Sequence, residues 1–411
     1  MSAAHRTRLD FLVEPAEALL FGPPRGFSAG EAHRVASQFP PTPQAFQGMV
    51  RTRLLLGGDL SVDLNSRAGA ALVPSLVGTA DRLPEGWRID GPFPARRGKD
   101  GIVRPWVATP RFLLMPPKDA DGATVHQAHF RSADPQGGLS DRAPKEPGGD
   151  TLPGRPELGD MRPPGGWIDP ANLHAVLSGA PQGWRAGGWC CDLPPFVKRE
   201  SQSGVAIDAR TGRTRHGMLY FSEALRFASG SGLLGGFTGT LAPSLSAAAL
   251  TTGAGQAGRK GRLVRFAKAE RLDPDWLAVR EGRYLPDRVT EADRFWLVAL
   301  TPARRSKAAE LPIRTPRGSA VSVRVVAALA GPPVVLGGFD LAGGKPRSNW
   351  SYHPAGSAWL IQLTGGDDAA RAALLRDLHD SHILGDENEA VMGFGHALVG
   401  LCERKQEETG S

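Results

Sequence analysis

The sequence predicts an α+β fold. Three observations lead there. Strand and helix signals interleave irregularly instead of repeating in β-α-β order, at least one strand pair is joined by a tight turn, and glycine and proline are abundant. The chain of 411 residues holds 52 glycines and 35 prolines, about a fifth of the chain where average usage gives closer to an eighth. With 41% hydrophobic and 22% charged residues, it has the apolar content of a globular protein carrying much loop, not that of a disordered tail. The length allows two or three domains' worth of core.

In order along the chain, Leu9 to Phe21 gives short apolar runs broken by Pro15, a strand with a bend. A glycine-rich loop, Gly22 to Gly30, follows. Phe39-Pro40-Pro41-Thr42-Pro43 then opens a helix, with Thr42 as N-cap and Pro43 at the first helical position. Phe46, Met49, Val50, Leu54 and Leu55 recur at helical spacing, Gly57-Gly58 ends the run, and Gln44, Gln47 and Arg51 take the opposite face, with Arg53 beside it. From Lys118 to Gly166, Pro, Gly, Asp, Arg and Ser dominate. Too few large apolar residues remain to order that stretch alone, so it reads as a long insertion, mobile unless a partner orders it.

Val205 to Asp208 and Gly217 to Phe221 flank Arg210-Thr211-Gly212-Arg213, a β-hairpin with basic residues at its tip. Phe295 to Leu300, Val321 to Leu329 and Ala358 to Leu363 read as buried strands. Asp367 to Asp380 reads as a helix with Leu374, Leu375 and Leu378 inward and an acidic outer face.

Several functions are excluded or disfavoured. No run of some 18 apolar residues exists for a membrane span, and Met1 to Asp10 lacks a signal-peptide apolar core. Cys190, Cys191 and Cys402 cannot build a disulfide framework or a four-thiolate zinc site, which points to the reducing cytoplasm. Gly230 to Gly235 and Gly253 to Gly258 match GxGxxG, but a dinucleotide fingerprint needs a strand before it and a helix after it. Arg259-Lys260-Gly261-Arg262 follows the second as a basic loop, so no cofactor is expected. There is no Gly-x-Ser-x-Gly elbow and no His-Glu-x-x-His helix. The pairs His126/His129 and His379/His382 read as surface or capping histidines, with no metal.

Basic residues, by contrast, cluster beside glycine. Arg96-Arg97-Gly98-Lys99 with Arg104 is one burst, Lys198-Arg199 with Arg210, Arg213 and Arg215 a second, and Arg259-Lys260-Gly261-Arg262 with Arg265 a third. On a chain of net charge +7, cations next to exposed backbone N–H groups suit a nucleic-acid phosphate backbone.

The chain also resembles a known family. Leu20-Phe21, Arg25-Gly26-Phe27-Ser28-Ala29-Gly30-Glu31, Phe39 to Pro43 and Gly48-Met49-Val50-Arg51 are similar to the start of the third subunit of the Cmr complex, the type III-B CRISPR effector, in the RAMP superfamily. Val205-Ala206-Ile207-Asp208, Thr211-Gly212 and Gly217-Met218-Leu219-Tyr220 resemble its hairpin block. Leu300-Thr301-Pro302-Ala303, Gly337-Gly338-Phe339-Asp340, Pro354-Ala355-Gly356-Ser357 and the terminal Gly393-Phe394-Gly395 with Ala397 to Gly400 follow in the family's order. Gly22-Pro23-Pro24 stands where the family often has Arg-Asp-Gly, Phe339 replaces a tryptophan, and the 118–166 insertion has no clear counterpart.

This resemblance implies two ferredoxin-like (RRM-type) units with large loop and hairpin insertions. Residues 1–255 would form the first unit and 256–411 the second, ending in the glycine-rich loop. It implies a subunit without catalysis of its own that holds the 5′ repeat tag of the CRISPR RNA (crRNA). Such a subunit bridges the large polymerase/cyclase-type subunit to the RAMP backbone subunits and meets target RNA only indirectly. Candidate RNA contacts are Arg25, Arg51, Lys198, Arg199, Arg210, Arg213, Arg215, Gly393, Gly395 and His396. The two glycines would bring bare N–H groups to phosphate. Phe27, Tyr220 and Phe394 are candidates for stacking on bases. The competing expectations are a metal-independent repeat-processing endoribonuclease using His216 or His396 as general acid–base, and the equivalent subunit of another type III complex.

Overall fold

A computed structural model of the protein describes residues 7–22, 34–58, 66–115, 126–127, 163–305, 313–316, 318–340 and 345–402. The 118–166 insertion, apart from 126–127 and 163–166, lies outside them.

The main elements, in chain order, are β1 (Thr7–Pro15), α1 (Pro43–Leu56), β2 (Arg88–Arg97), β3 (Val103–Pro105), α2 (Pro170–Leu177), β4 (Val197–Ile207), β5 (Thr214–Phe227), β6 (Ser231–Gly239), β7 (Ala254–Ala257) and β8 (Arg262–Lys268). The second half supplies α3 (Pro274–Glu281), β9 (Arg294–Ala299), β10 (Ser322–Leu329), β11 (Ala358–Thr364), α4 (Asp368–Leu378), β12 (Ser381–His382), α5 (Glu387–Val391) and β13 (His396–Leu401). Two antiparallel sheets organise the fold. The first runs β7-β8-β1-β6-β2-β3 and the second β10-β11-β9-β13-β12. Although β8 follows the expected boundary at 255/256, it pairs with β1, Phe11 opposite Lys268.

Thr42 caps α1 as its position predicts, its Oγ1 accepting from the Ala45 N–H at 3.1 Å ahead of Pro43. Asp169-Pro170 and Asp273-Pro274 open α2 and α3 by the same device. Helix α1 lays Phe46, Val50 and Leu54 on Phe11, Val13 and Phe237 of the first sheet. Leu12 points the other way, to Phe93 and Leu234. Strand alternation with both faces covered explains why Phe11-Leu12-Val13 is an unbroken buried run. Strand β9 repeats the arrangement. Phe295 and Leu297 pack with Leu374, Leu375 and Leu378 of α4, while Trp296 and Val298 enter a middle layer shared with Leu12, Phe93, Leu173 of α2 and Trp276 of α3. The chain is therefore layered helix, sheet, shared apolar layer, sheet, helix. Burial of each such side chain stabilises by about 1.5–3 kcal/mol.

Two sequence expectations change. Val321 to Leu329 is not a buried strand. β10 is the sheet's edge, with one neighbour, and Ser322, Arg324, Val325 and Ala328 are exposed. His379 takes the C-cap position of α4, as the capping alternative expects, but both it and His382 are buried rather than at the surface, because the end of α4 turns into the space between the two sheets. Neither GxGxxG run precedes a helix, as the basic loop after Gly258 leads one to expect for the second. Gly230 to Gly235 leads into β6, and Gly253 to Gly258 spans the edge strand β7. Among the described residues, no helix is long and apolar enough to cross a membrane.

Candidate nucleic-acid interface

The predicted hairpin is longer than its signal. β4 and β5 pair from Val197 opposite Phe227 to Val205 opposite Leu219, then a bulge shifts the register to Ile207 opposite Thr214. Its base is anchored in the first core by Phe196, Val197, Leu225 and Phe227, and β5 is joined on its other side by the short parallel strand Arg34–Ala36. The tip is built by Asp208. Its Oδ1 accepts from the N–H groups of Arg210 and Thr211, both at 3.0 Å, and its carbonyl accepts from Gly212. Gly212 sits at φ +66°, where a side chain is disfavoured. This turn projects Arg210 and Arg213 into solvent with no carboxylate partner among the described residues. Lys198 is exposed in the same way, and Arg199 lies 3.7 Å from Glu223. At the base, the hydrogen bond from Arg226 holds the Glu200 carboxyl down at about 2.

The other two basic bursts are partly neutralised, with Arg96, Lys99 and Arg259 exposed and without a carboxylate partner among the described residues. Arg104 pairs with Asp100 at 2.6 Å and Asp273 at 3.2 Å, and Arg97 bonds the Lys268 carbonyl at 3.0 Å. Arg262 pairs with Glu17 and Arg265 with Glu14. The hairpin thus presents unpaired cations at Lys198, Arg210 and Arg213, held on one β-ribbon.

The remaining predicted contacts separate from it. Arg25 and Phe27 lie outside the described residues, as do the side chains of Arg215, His216 and Tyr220, whose backbone belongs to β5. Arg51 turns inward along α1. Its Nη1 donates to Gln47 Oε1 at 3.0 Å and its Nη2 to the Gly78 carbonyl at 2.6 Å, tying the helix to a loop.

The terminal glycine loop is not a phosphate cradle in this conformation. The N–H groups of Gly393, Phe394, Gly395 and His396 donate to Ala390 O, Glu389 O, Pro302 O and Thr301 Oγ1, so all four are engaged inside the fold. Glycine is required there by close backbone contact. A Cβ on Gly393 would lie 2.8 Å from Ile89 O, and one on Gly395 would lie 1.8 Å from Leu384 O. Phe394, a candidate stacking ring, is buried against Tyr352 at 5.2 Å. His396 is fully buried, its Nε2 2.7 Å from Asp380 Oδ1 and its ring stacked on His382 at 4.4 Å. Its ring is enclosed by the fold in this conformation.

That histidine belongs to an ionic cluster joining the two halves. Arg280 of α3 contacts Asp380 at 2.8 Å and Asp90 of β2 at 3.7 Å. Asp90 also meets Arg88 at 3.0 Å and His382 at 3.6 Å. Burial alone would raise the Asp380 carboxyl, but the His396 hydrogen bond and the Arg280 charge hold it below the ordinary carboxylate range. Asp90 follows the same pattern, with burial opposed by His382, Arg88, His396 and Arg280. His382, fully enclosed, is pushed well below its usual value by burial and by His396. His379 accepts from the Val399 N–H at Nδ1, so its Nε2 carries the proton and donates to Val279 O at 2.7 Å. No group of three or more metal-ligating side chains is found among the described residues.

Sequence reasoning missed both this cluster and a neighbouring cleft. The Phe39 to Pro43, Leu300 to Pro302 and Pro354-Ala355 blocks, far apart in the chain, line a cavity of about 170 Å³ with Pro92, Phe93 and Trp167. Phe39 stands edge-on to Trp167 at 5.1 Å and reaches Phe227 of the hairpin base at 6.4 Å. No short-range pattern announces such long-range convergence.

The model of the family described as CRISPR-associated protein (Cas_Cmr3) matches residues 11–402. Similar solved chains occur in "Cryo-EM structure of the Type III-B Cmr-beta bound to cognate target RNA and AMPPnP, state 1", at 14% identity and TM-score 0.43, and in "Cryo-EM structure of the Type III-B Cmr-beta bound to cognate target RNA", at 14% and 0.39. Each covers 85% of this chain and 86% of the other. No curated protein sequence matches.

Proposed function

Because this chain belongs to the Cas_Cmr3 family of CRISPR-associated proteins, we propose that it is a non-catalytic, RNA-binding subunit of a type III-B CRISPR effector complex. In this reading it acts in the cytoplasm, holds the 5′ repeat tag of the crRNA and bridges the large polymerase/cyclase-type subunit to the backbone subunits. Target RNA reaches it only through the complex.

Strand order supports reading each half as a ferredoxin-like RAMP unit. Counting β1, β2, β6 and β8, and then β9, β10, β11 and β13, both sheets run fourth-first-third-second. The first half carries its first crossover helix, α1, and reduces the second to the 3-10 turn Ala247–Leu250. The second half carries its second crossover helix, α4. We place the division between units after Lys268, since β8 completes the first sheet. Because both sheet faces are covered, RNA contact falls to the hairpin and loops, not to an open sheet as in an RRM.

The observation that carries RNA binding is the hairpin tip, where Asp208 and Gly212 present Arg210 and Arg213 without carboxylate partners among the described residues. The absence of catalysis is supported by the burial of His396. The test is Arg210→Ala with Arg213→Ala, read by crRNA affinity across a salt series. Loss of two phosphate contacts lowers the slope of log K against log salt by about 1.4. An unchanged slope would remove the hairpin from the RNA contact, and specific cleavage of repeat RNA by the purified chain would overturn the non-catalytic reading.

A further inference from the structure

Among the described residues two large aromatic side chains are exposed, Phe221 of the hairpin at 40% and Trp350 at 43%. Trp350 differs from an ordinary surface aromatic in what lies behind it. The guanidinium carbon of Arg304 sits 3.6 Å from the centre of its ring. Arg304 is itself held by Glu389 at 3.2 Å, and the Tyr352 hydroxyl donates to the same carboxylate oxygen at 2.8 Å. Tyr352 in turn stacks on buried Phe394. One face of the indole is thus covered by a cation fixed from the interior, and the ring's exposure lies elsewhere.

The surroundings point to one kind of ligand. Trp350 opens the strand Trp350–His353 and pairs with Leu336, which lines the 170 Å³ cleft together with Phe39. Phe39 packs on Phe227 at the hairpin base, so the cleft lies between the basic hairpin and the indole. Arg305, adjacent to Arg304 and hydrogen-bonded through its N–H to Ser351 O, is exposed with no carboxylate partner among the described residues. The residues leading into Trp350, Arg347-Ser348-Asn349, are polar, unlike the apolar surround of an aromatic protein–protein anchor. A guanidinium on one face of an indole draws its π density and disfavours a second cation on the other, while leaving it suited to a flat neutral ring.

We propose that the open face of Trp350, backed by Arg304, stacks on an unpaired nucleobase of the RNA that this subunit holds, with Arg305 placed for the adjoining phosphate. This rests on the RNA-binding reading above and adds to it a residue and a mode of contact.

The experiment uses the full-length chain and single-stranded RNA of the host's repeat sequence, with 2-aminopurine substituted at one position at a time. Stacking on Trp350 quenches the probe at one position. Trp350→Ala abolishes that quench and weakens affinity roughly tenfold, Trp350→Phe restores most of it, and the salt slope stays that of the wild type because no charge is removed. Circular dichroism melts confirm that both variants are folded, as an exposed site allows. Unchanged quench and affinity in a folded Trp350→Ala protein overturn the proposal. Intact RNA binding with lost association to a neighbouring subunit also overturns it, in favour of a protein contact. If the wild type binds RNA and responds to the hairpin substitutions but not to Trp350→Ala, the platform alone fails. If the wild type binds no RNA, the RNA-binding reading fails and the platform with it.

Discussion

Gly395 and Gly318 both occupy the left-handed backbone region, at φ +64° and +79°, but only one is crowded. Nothing lies within 4 Å of a Cβ built on Gly318, whereas one built on Gly395 meets the Leu384 carbonyl oxygen at 1.8 Å. Alanine at either position carries the left-handed backbone cost of about 1–2 kcal/mol. At Gly395 the Leu384 backbone must also retreat. That movement strains the Leu384 N–H bond to Gly395 O and the bridge from Leu384 to Ile313, and it disturbs a side chain packed between the second sheet and α4. Two weakened hydrogen bonds and a repacked leucine add about 2–3 kcal/mol. Differential scanning calorimetry should therefore lower the melting temperature by a few degrees for Gly318→Ala and by roughly 10 °C for Gly395→Ala. Equal shifts would refute the view that Gly395 is kept free of a side chain by the Leu384 carbonyl, and would return the loop to candidacy as an RNA surface.

The buried ionic cluster between the two sheets makes two further predictions, both read by urea unfolding as a function of pH. Asp380→Asn leaves Arg280 without its nearest anion and costs about 3 kcal/mol at pH 7. Because the native Asp380 carboxyl is depressed, its contribution is present above the unfolded value of about 3.9 and fades as pH falls through the native one, so the gap to the wild type narrows below about pH 4. A constant gap down to pH 2 would contradict this pairing. His382 also has a depressed native pKa. Stability it confers is present above about pH 6.5 and lost on acidification, at up to about 1.4 kcal/mol per pH unit. His382→Gln should flatten the stability profile between pH 6.5 and 5, with an unaltered slope counting against a neutral buried His382.

What could be read from sequence was what is local. Thr42-Pro43 marks a helix start because capping and proline act within one turn, and Asp169-Pro170 and Asp273-Pro274 carry the same signal for α2 and α3. Arg210 to Arg213 marked the hairpin tip because Asp208 and Gly212 form a turn from adjacent residues. The glycine loop misled for a physical reason. A backbone that needs φ above zero and room for close approach gives the same residues whether the neighbour is a phosphate or the Leu384 carbonyl. Arg51 misled similarly, since its acceptor, Gly78 O, is set by a loop that helical periodicity does not describe. Arg280, Asp90 and Asp380 were unreadable because their charges meet only after both sheets have formed.

Strand β1 is made long before either of the strands that pair with it. Its partners are β6, at Ser231–Gly239, and β8, at Arg262–Lys268. While the intervening chain emerges, Phe11-Leu12-Val13 is an unpaired apolar strand with both edges open. Vectorial synthesis therefore passes through a long aggregation-prone interval. Chaperone binding during translation should centre on residues 9–13 and release once Lys268 has cleared the exit tunnel.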